Sequence, residues 1–525
     1  MRLKGPVLST DDMLYLSDYP KQAEREFRGR TAIIGDQGSI TYKELDEASD
    51  RFAAWLQRQD LPRGTRVAYL GKNSELLFPV LFGCIRAGCV LVPINWRYAV
   101  PEIEYVLRDS GARVLVHAPD FSDAASRASA ALPSPPLRVP TVGDAGLDLR
   151  GILVQPLEQA LAPWEPDAPC LQLYTSGTTG RPKGVVETHR KLSIARWMEV
   201  GVPDWADWHG DDVLLSAMPN FHSGGLSWML IGLLRGLTCI LTADASPANL
   251  LALSRRHQVT RTFVVPAVIR ALVDLVEGSE EAAPPLKSLF YGAAPIDVEL
   301  IQRCQRRFNG CGFAQYYGMT EVAGSATFFP PAEHRVDQPQ RLRSVGRLLP
   351  AFEMEIRDPE GRALEAGRPG EIFLRTPTLM LGYWNQPDAT AEAIDGEGWY
   401  RTGDGGYVDE DGYLFLTDRI RDMIISGGEN VYPAEVEQAL RRHPAILEVV
   451  VVAVADPKWG ETVCAVVELR PGQSVTLEQL RNFARDDIAA YKLPRRLEVV
   501  SQLPRTATGK LQRGAARAQV DPSRH

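Results

Sequence analysis

Hydrophobic and polar positions alternate between two periods along the first 120 residues. Leu45, Ala48, Phe52, Trp55 and Leu56 recur at helical spacing, and Thr41 with Glu44 has the capping-box pattern that opens a helix just before them. Residues 66–70 read as a strand, 75–86 as a helix stopped at Gly88, and 89–94 as the next strand. Residues 102–108 repeat the helix, Gly111 caps it, and 113–117 form another strand. Strand–helix–strand alternation predicts a parallel sheet layered with helices.

Farther along, the texture changes three times. Ala, Pro and Ser dominate 119–168, which reads as a surface excursion with little core. Strand and helix signals return from Cys170 to about Arg347, and 352–413 become β-rich with turn residues. After Asp418 about 100 residues read strand, helix, strand, strand, helix, strand, the size of one small domain. The predicted class is α/β: a large layered N-terminal region with a β-rich subdomain (1–418), joined by a hinge to a small α+β C-terminal domain (419–525). The most apolar run, 226–241, is broken by Arg235 and Gly236 and is too short to span a bilayer, so it reads as core helix, glycine turn and strand.

Composition narrows the class. With 525 residues the chain exceeds one compact core, and 45% hydrophobic with 24% charged residues is ordinary globular usage. Its net charge of −8 does not suit a reader of nucleic-acid backbones. The seven cysteines show no CxxC or Cys/His ligand spacing, and the first residues form no apolar signal segment. Both point to reduced, buried thiols in a cytoplasmic protein.

The sharpest chemical signal follows the apolar strand at 170–173. Thr175-Ser176-Gly177-Thr178-Thr179-Gly180-Arg181-Pro182-Lys183-Gly184 packs three glycines and four hydroxyls into ten positions beside a lysine. Glycine lets backbone approach phosphate, hydroxyls donate to its oxygens, and lysine supplies charge. No Gly-Lys-Ser/Thr closes the run, so it is not a Walker A loop. Four further stretches stand out in order: Tyr291-Gly292-Ala293-Ala294-Pro295, Gln315-Tyr316-Tyr317-Gly318-Met319-Thr320-Glu321, Tyr400-Arg401-Thr402-Gly403-Asp404, and the long run from Asp418 to Asn430. Pro504-Arg505-Thr506-Ala507-Thr508-Gly509-Lys510 ends the series.

Taken in this order, from about residue 27 to 512, the stretches resemble the adenylate-forming superfamily. That group holds acyl- and aryl-CoA synthetases, 4-coumarate–CoA ligases, firefly luciferase and peptide-synthetase adenylation domains. The resemblance implies two steps: a carboxylate attacks the α-phosphorus of ATP to give acyl-AMP and pyrophosphate, then CoA displaces AMP. It further implies that Thr175 through Gly180 and Lys183 cradle phosphate, and that Gly292, Ala293, Ala294 and Pro295 line the adenine. Tyr317, with Gly318 beside it, would stack on that base. Thr320 would meet the α-phosphate, Glu321 would hold Mg²⁺ on the phosphates, and Asp404 with Arg419 would bind ribose. Arg421 would be the hinge, Ser426, Gly427 and Gly428 would line the pantetheine tunnel, and Lys510 would reach the acid and α-phosphate during adenylation.

The acid is read from Asn220-Phe221-His222-Ser223-Gly224-Gly225, which aligns with the motif flanking the acyl pocket. Amino-acid adenylating relatives carry an aspartate where this chain has His222, which points away from amino acids. Ser223, Gly224, Gly225, Gly292, Gly318, Gly324 and Ser325 are small; they either leave room for an apolar, fatty or aryl acid or serve backbone geometry. The expected partners are that acid, ATP, Mg²⁺ and CoA. A carrier-protein thiol as acceptor and a nucleotide-binding protein without catalysis are the rival readings.

Overall fold

The computed structural model describes residues 1–521 apart from 144–146, 158–160, 163, 176–181, 201, 203–207, 279–282, 293–295, 297, 420, 421, 423, 427, 428, 432, 457–459, 486, 489 and 506–510; the side chains of 200, 418, 419, 425, 429, 430 and 460 are likewise outside the description. The chain divides into two compact units, one of 4–353 with 375–400, the other of 1–3, 354–374 and 401–525.

Two sheets build the larger unit. One orders its strands Arg347–Leu348, Gly324–Phe329, Gly312–Met319, Ser288–Gly292, Arg261–Val264, Val213–Ser216, Thr238–Leu241, Thr31–Gly35 and Gly38–Thr41. Its inner strands run parallel and its outermost pairs antiparallel. The other orders Gly382–Tyr383, Lys183–Thr188, Pro169–Thr175, Val90–Pro93, Arg66–Leu70, Val114–His117 and Leu137–Pro140. Parallel strands are covered by helices on both faces, which is why Val67, Ala68, Tyr69 and Leu70 are all buried in succession.

Local chemistry sets several boundaries. Thr41 and Glu44 do form the reciprocal capping box, and the helix Tyr42–Arg58 buries Leu45, Ala48, Phe52, Trp55 and Leu56. Gly88 and Gly111 end their helices in the left-handed region, at φ 70° and 65°. The helix expected at 75–86 spans Leu77–Ala87, because the Ser74 hydroxyl accepts from the Leu76 amide and shifts the first turn.

The 119–168 excursion carries more core than its composition suggests. Helix Ser122–Ala130 buries Ala125 and Ala128, Leu137–Pro140 extends the second sheet, and Leu149, Ile152 and Leu153 are buried. Alanines bury little area each but let a helix lie flush on its neighbour. The apolar run becomes the helix Ser223–Leu234, a turn at Gly236 and the strand Thr238–Leu241. Among the described residues no helix is long and apolar enough to cross a membrane. All seven cysteines are buried thiols.

The second unit holds the β-rich sheet Arg2–Lys4, Glu353–Arg357, Gly370–Arg375, Tyr400–Val408 and Leu414–Arg419. Its other sheet joins Glu429–Val431, Ile424–Ser426, Gly460–Leu469 and Ile446–Asp456, with Arg496–Val500 on Gly460–Leu469. Val449 and Val451 pack one face with Val436, Leu440 and Leu480, while Val450 and Val452 pack the other with Leu503 and Ala516. That period of two buries the strand on both sides.

Candidate active site

The predicted phosphate loop joins two antiparallel strands. Thr175 pairs with Lys183 and Tyr174 with Gly184, so Thr175 and Lys183 stand together at its base. Ser176, Gly177, Thr178, Thr179 and Gly180 lie outside the described residues, as do Ala293, Ala294 and Pro295.

Gly292, Tyr317 and Gly318 sit at the carboxyl ends of Ser288–Gly292 and Gly312–Met319, which run parallel with Gly292 opposite Tyr316. In α/β sheets that end is where ligands bind. The chain then tightens into the turn Thr320–Val322, closed by Ala323 at φ 62°. A Cβ on Gly318 would collide with the carbonyl oxygen of Gly324, itself at φ 126°. Only glycines allow this doubled-back backbone. Thr320 Oγ1 donates to Ser223 Oγ at 3.3 Å, tying the turn to the start of the helix Ser223–Leu234.

Tyr383, which lies in none of the sequence motifs, contacts two of the expected site residues. Its hydroxyl donates to Glu321 Oε1 at 3.0 Å, and its ring lies 4.9 Å from the Lys183 ammonium. The flanking backbone spans the same two segments: Met380 N donates to Glu321 O at 2.8 Å, and Leu381 N to Val186 O at 2.9 Å. The sequence signal was only a Gly-Tyr pair too short to register as a strand. Burial, then the Glu321 carboxylate, push the Tyr383 phenol up, so it keeps its proton. Nearby Glu187 is fully buried with neither oxygen hydrogen-bonded. Desolvation outweighs Lys191 and raises its carboxyl well above the usual range, with Glu321 adding to the rise.

Behind the turn, Arg196 Nη2 donates to Ala323 O at 3.0 Å, and Arg196 Nε lies 2.9 Å from Glu199 Oε2. Both side chains are 2% exposed. Burial raises the Glu199 carboxyl despite its partner.

At the acid end, His222 precedes the helix Ser223–Leu234, and burial followed by the Arg97 charge holds its imidazole down to about 4. Several of the small residues have close neighbours. A Cβ on Gly224 would lie 3.3 Å from Phe263 Cε1, and one on Gly292 would lie 3.6 Å from the same ring. Gly225 abuts the Pro219 carbonyl. Backbone approach therefore accounts for Gly225, Gly292 and Gly318, the φ of 126° accounts for Gly324, and Gly224 and Gly324 face side chains, those of Phe263 and Arg196.

In the other unit, Asp404 and Arg419 are register partners across antiparallel strands, and the Asp404 amide donates to Thr402 Oγ1 at 3.0 Å. Ser426 is buried and its hydroxyl accepts from Arg495 at 2.8 Å. The Arg419 side chain, Arg421, Gly427, Gly428 and Lys510 lie outside the described residues.

Residues 20–384 match the AMP-binding enzyme family and 435–510 its C-terminal domain. The chain is 39% identical to the fatty acid–[acyl-carrier-protein] ligase ScoC of Streptomyces coeruleorubidus, over 92% of both chains. It is 36% identical to a feruloyl-CoA synthase of Amycolatopsis sp, over 96% of this chain and 98% of that one. Among solved structures, ATP-bound MatB of Rhodopseudomonas palustris superimposes with a TM-score of 0.87 at 28% identity, covering 96% and 99% of the two chains. The chain belongs to the AMP-binding enzymes. It is an AMP-forming acid–thiol ligase, working through an acyl adenylate.

Proposed function

We propose that this chain is an acyl-CoA synthetase for an apolar, fatty or aryl carboxylic acid, working in the cytoplasm. The observation that carries the reading is the line Lys183–Tyr383–Glu321, with Thr320 beside it, at the carboxyl end of a parallel sheet. A cationic amine, a carboxylate and two hydroxyls converge there, the groups a nucleotide triphosphate requires. Lys183 offsets charge on the phosphoryl oxygens, Thr320 donates to the α-phosphate, and Tyr317 offers a base its face.

The residues fit Mg²⁺. Glu321 supplies a single carboxylate, with the Tyr383 hydroxyl on its Oε1. That suits an ion held by one carboxylate and the phosphates rather than by a protein cage. When bound, it would offset triphosphate charge. Asp404 and Arg419 take the ribose. Residues 419–525 then turn about Arg421, exchanging Lys510 for the Ser426-Gly427-Gly428 loop between half-reactions.

A carrier-protein thiol is the second reading, favoured by the 39% identity to a fatty acid–[acyl-carrier-protein] ligase. The test is a panel of carboxylic acids with ATP and Mg²⁺, scored by pyrophosphate exchange and then by AMP release with CoA or with a phosphopantetheinylated carrier protein. Thioester formation on free CoA supports the synthetase. Exchange without CoA consumption, together with carrier loading, moves the assignment to the second reading. No exchange with any acid refutes both.

A further inference from the structure

We infer that Tyr383 is a positioning residue for adenylation: its hydroxyl sets the plane of the Glu321 carboxylate while its ring face seats the Lys183 ammonium, so both charges meet the triphosphate from one preset frame. This rests on the reading of Glu321 and Lys183 as triphosphate ligands.

Strand pairing puts the tyrosine there. Gly382–Tyr383 runs antiparallel to Lys183–Thr188 with Tyr383 opposite Val185. Directly opposed residues share a face, and Lys183 lies two residues from Val185, so Tyr383 and Lys183 project to the same side. The 4.9 Å between ammonium and ring centroid is within cation–π range.

The segment is anchored on both flanks. Tyr383 N donates to Thr390 Oγ1 at 2.9 Å, and Gly382, at φ 145°, sits so near Thr390 that a Cβ would lie 2.8 Å from its methyl. On the other side Trp384 N donates to Gly184 O at 2.7 Å, Trp384 Nε1 donates to Asp109 O at 2.9 Å, and Arg66 stacks 3.4 Å from the indole. A phenol held this way on both sides has little rotamer freedom left to lose, so its hydrogen bond orders the carboxylate. A carboxylate ordered in advance does not have to reorganise when charge develops on the phosphates.

The test uses the full-length enzyme and the acid that gives the fastest pyrophosphate exchange. Tyr383→Phe removes the hydroxyl and keeps the ring. It should lower exchange on the order of ten-fold, the size of one charge-assisted hydrogen bond, and raise the Mg²⁺ concentration needed for half-maximal rate. Tyr383→Leu should add an increase in the KM for ATP, through Lys183. Because Tyr383 acts through Glu321, the Tyr383→Phe/Glu321→Gln double variant should lose no more than Glu321→Gln alone. Thioester formation from supplied acyl-AMP, measured on the same preparations, reports that each variant is folded. If Glu321→Gln impairs exchange but Tyr383→Phe leaves rate and Mg²⁺ demand unchanged, or if the two losses add, the positioning role is overturned. If Glu321→Gln itself changes neither quantity, the underlying assignment of Glu321 fails and the role of Tyr383 falls with it.

Discussion

Arg196 donates to the carbonyl oxygen of Ala323 at 3.0 Å, linking the helix His189–Val200 that follows the phosphate loop to the turn that carries Glu321. The same guanidinium is ion-paired to Glu199, and both side chains are buried. Removing one partner of a buried pair leaves an uncompensated charge, which typically costs about 3–5 kcal/mol. Arg196→Met should therefore lower unfolding free energy by that order and slow adenylation as the 320–324 turn loosens. Denaturant unfolding and pyrophosphate exchange measure the two effects. A loss under about 1 kcal/mol, the range of a solvated pair, would mean that water reaches it.

His222 gives a pH prediction with a definite sign. Its ordinary value is 6.5, and burial with the Arg97 charge holds it down to about 4 in the folded chain. The neutral ring is thus favoured by folding. The stability it contributes is complete above about 6.5 and is lost as pH falls through about 4. An NMR titration of the ring, assigned with His222→Gln, should show no midpoint near 6.5. A midpoint there would place the imidazole in water.

Phe263 should govern the size of the acid. Its ring stands against the positions of Gly224 and Gly292 and packs on Trp228 and Tyr316 at 5.9 and 6.2 Å between centroids. Phe263→Leu should shift kcat/KM toward larger acids by about 10-fold, the worth of a few methylenes in an apolar pocket. Gly224→Phe should reject large acids before small ones. An equal change for all acids in either variant would indicate damage to the backbone and remove these residues from the acid pocket.

Separating the half-reactions tests domain exchange. Lys510→Ala should lose about 100-fold or more in pyrophosphate exchange, as for one missing transition-state donor, with the loss confined to that step. Arg421→Pro fixes φ near roughly −65° and should instead impair thioester formation from supplied acyl-AMP. Equal loss of both steps in both variants, with unchanged melting, would rule out alternation.

What the sequence determined by itself was local or dense in chemistry. The Thr41–Glu44 box and the glycine stops at 88 and 111 depend on a few neighbouring residues, so periodicity and capping rules found them. The hydroxyl-and-glycine run before Lys183 pointed to phosphate by its composition, whereas the Thr320-Glu321 pair did so only through the family resemblance of its motif. Tertiary structure decided the rest. Tyr383 meets Glu321 from 62 residues away, and Lys183 from 200, through a two-residue strand with no periodic signal. Arg196 reaches Ala323 across 127 residues. Phe263 stands against Gly224 and Gly292, and the alanine-rich excursion gains a packed helix. Each of these contacts is set by the order of strands and by close packing between distant segments, and neither leaves a mark in local periodicity.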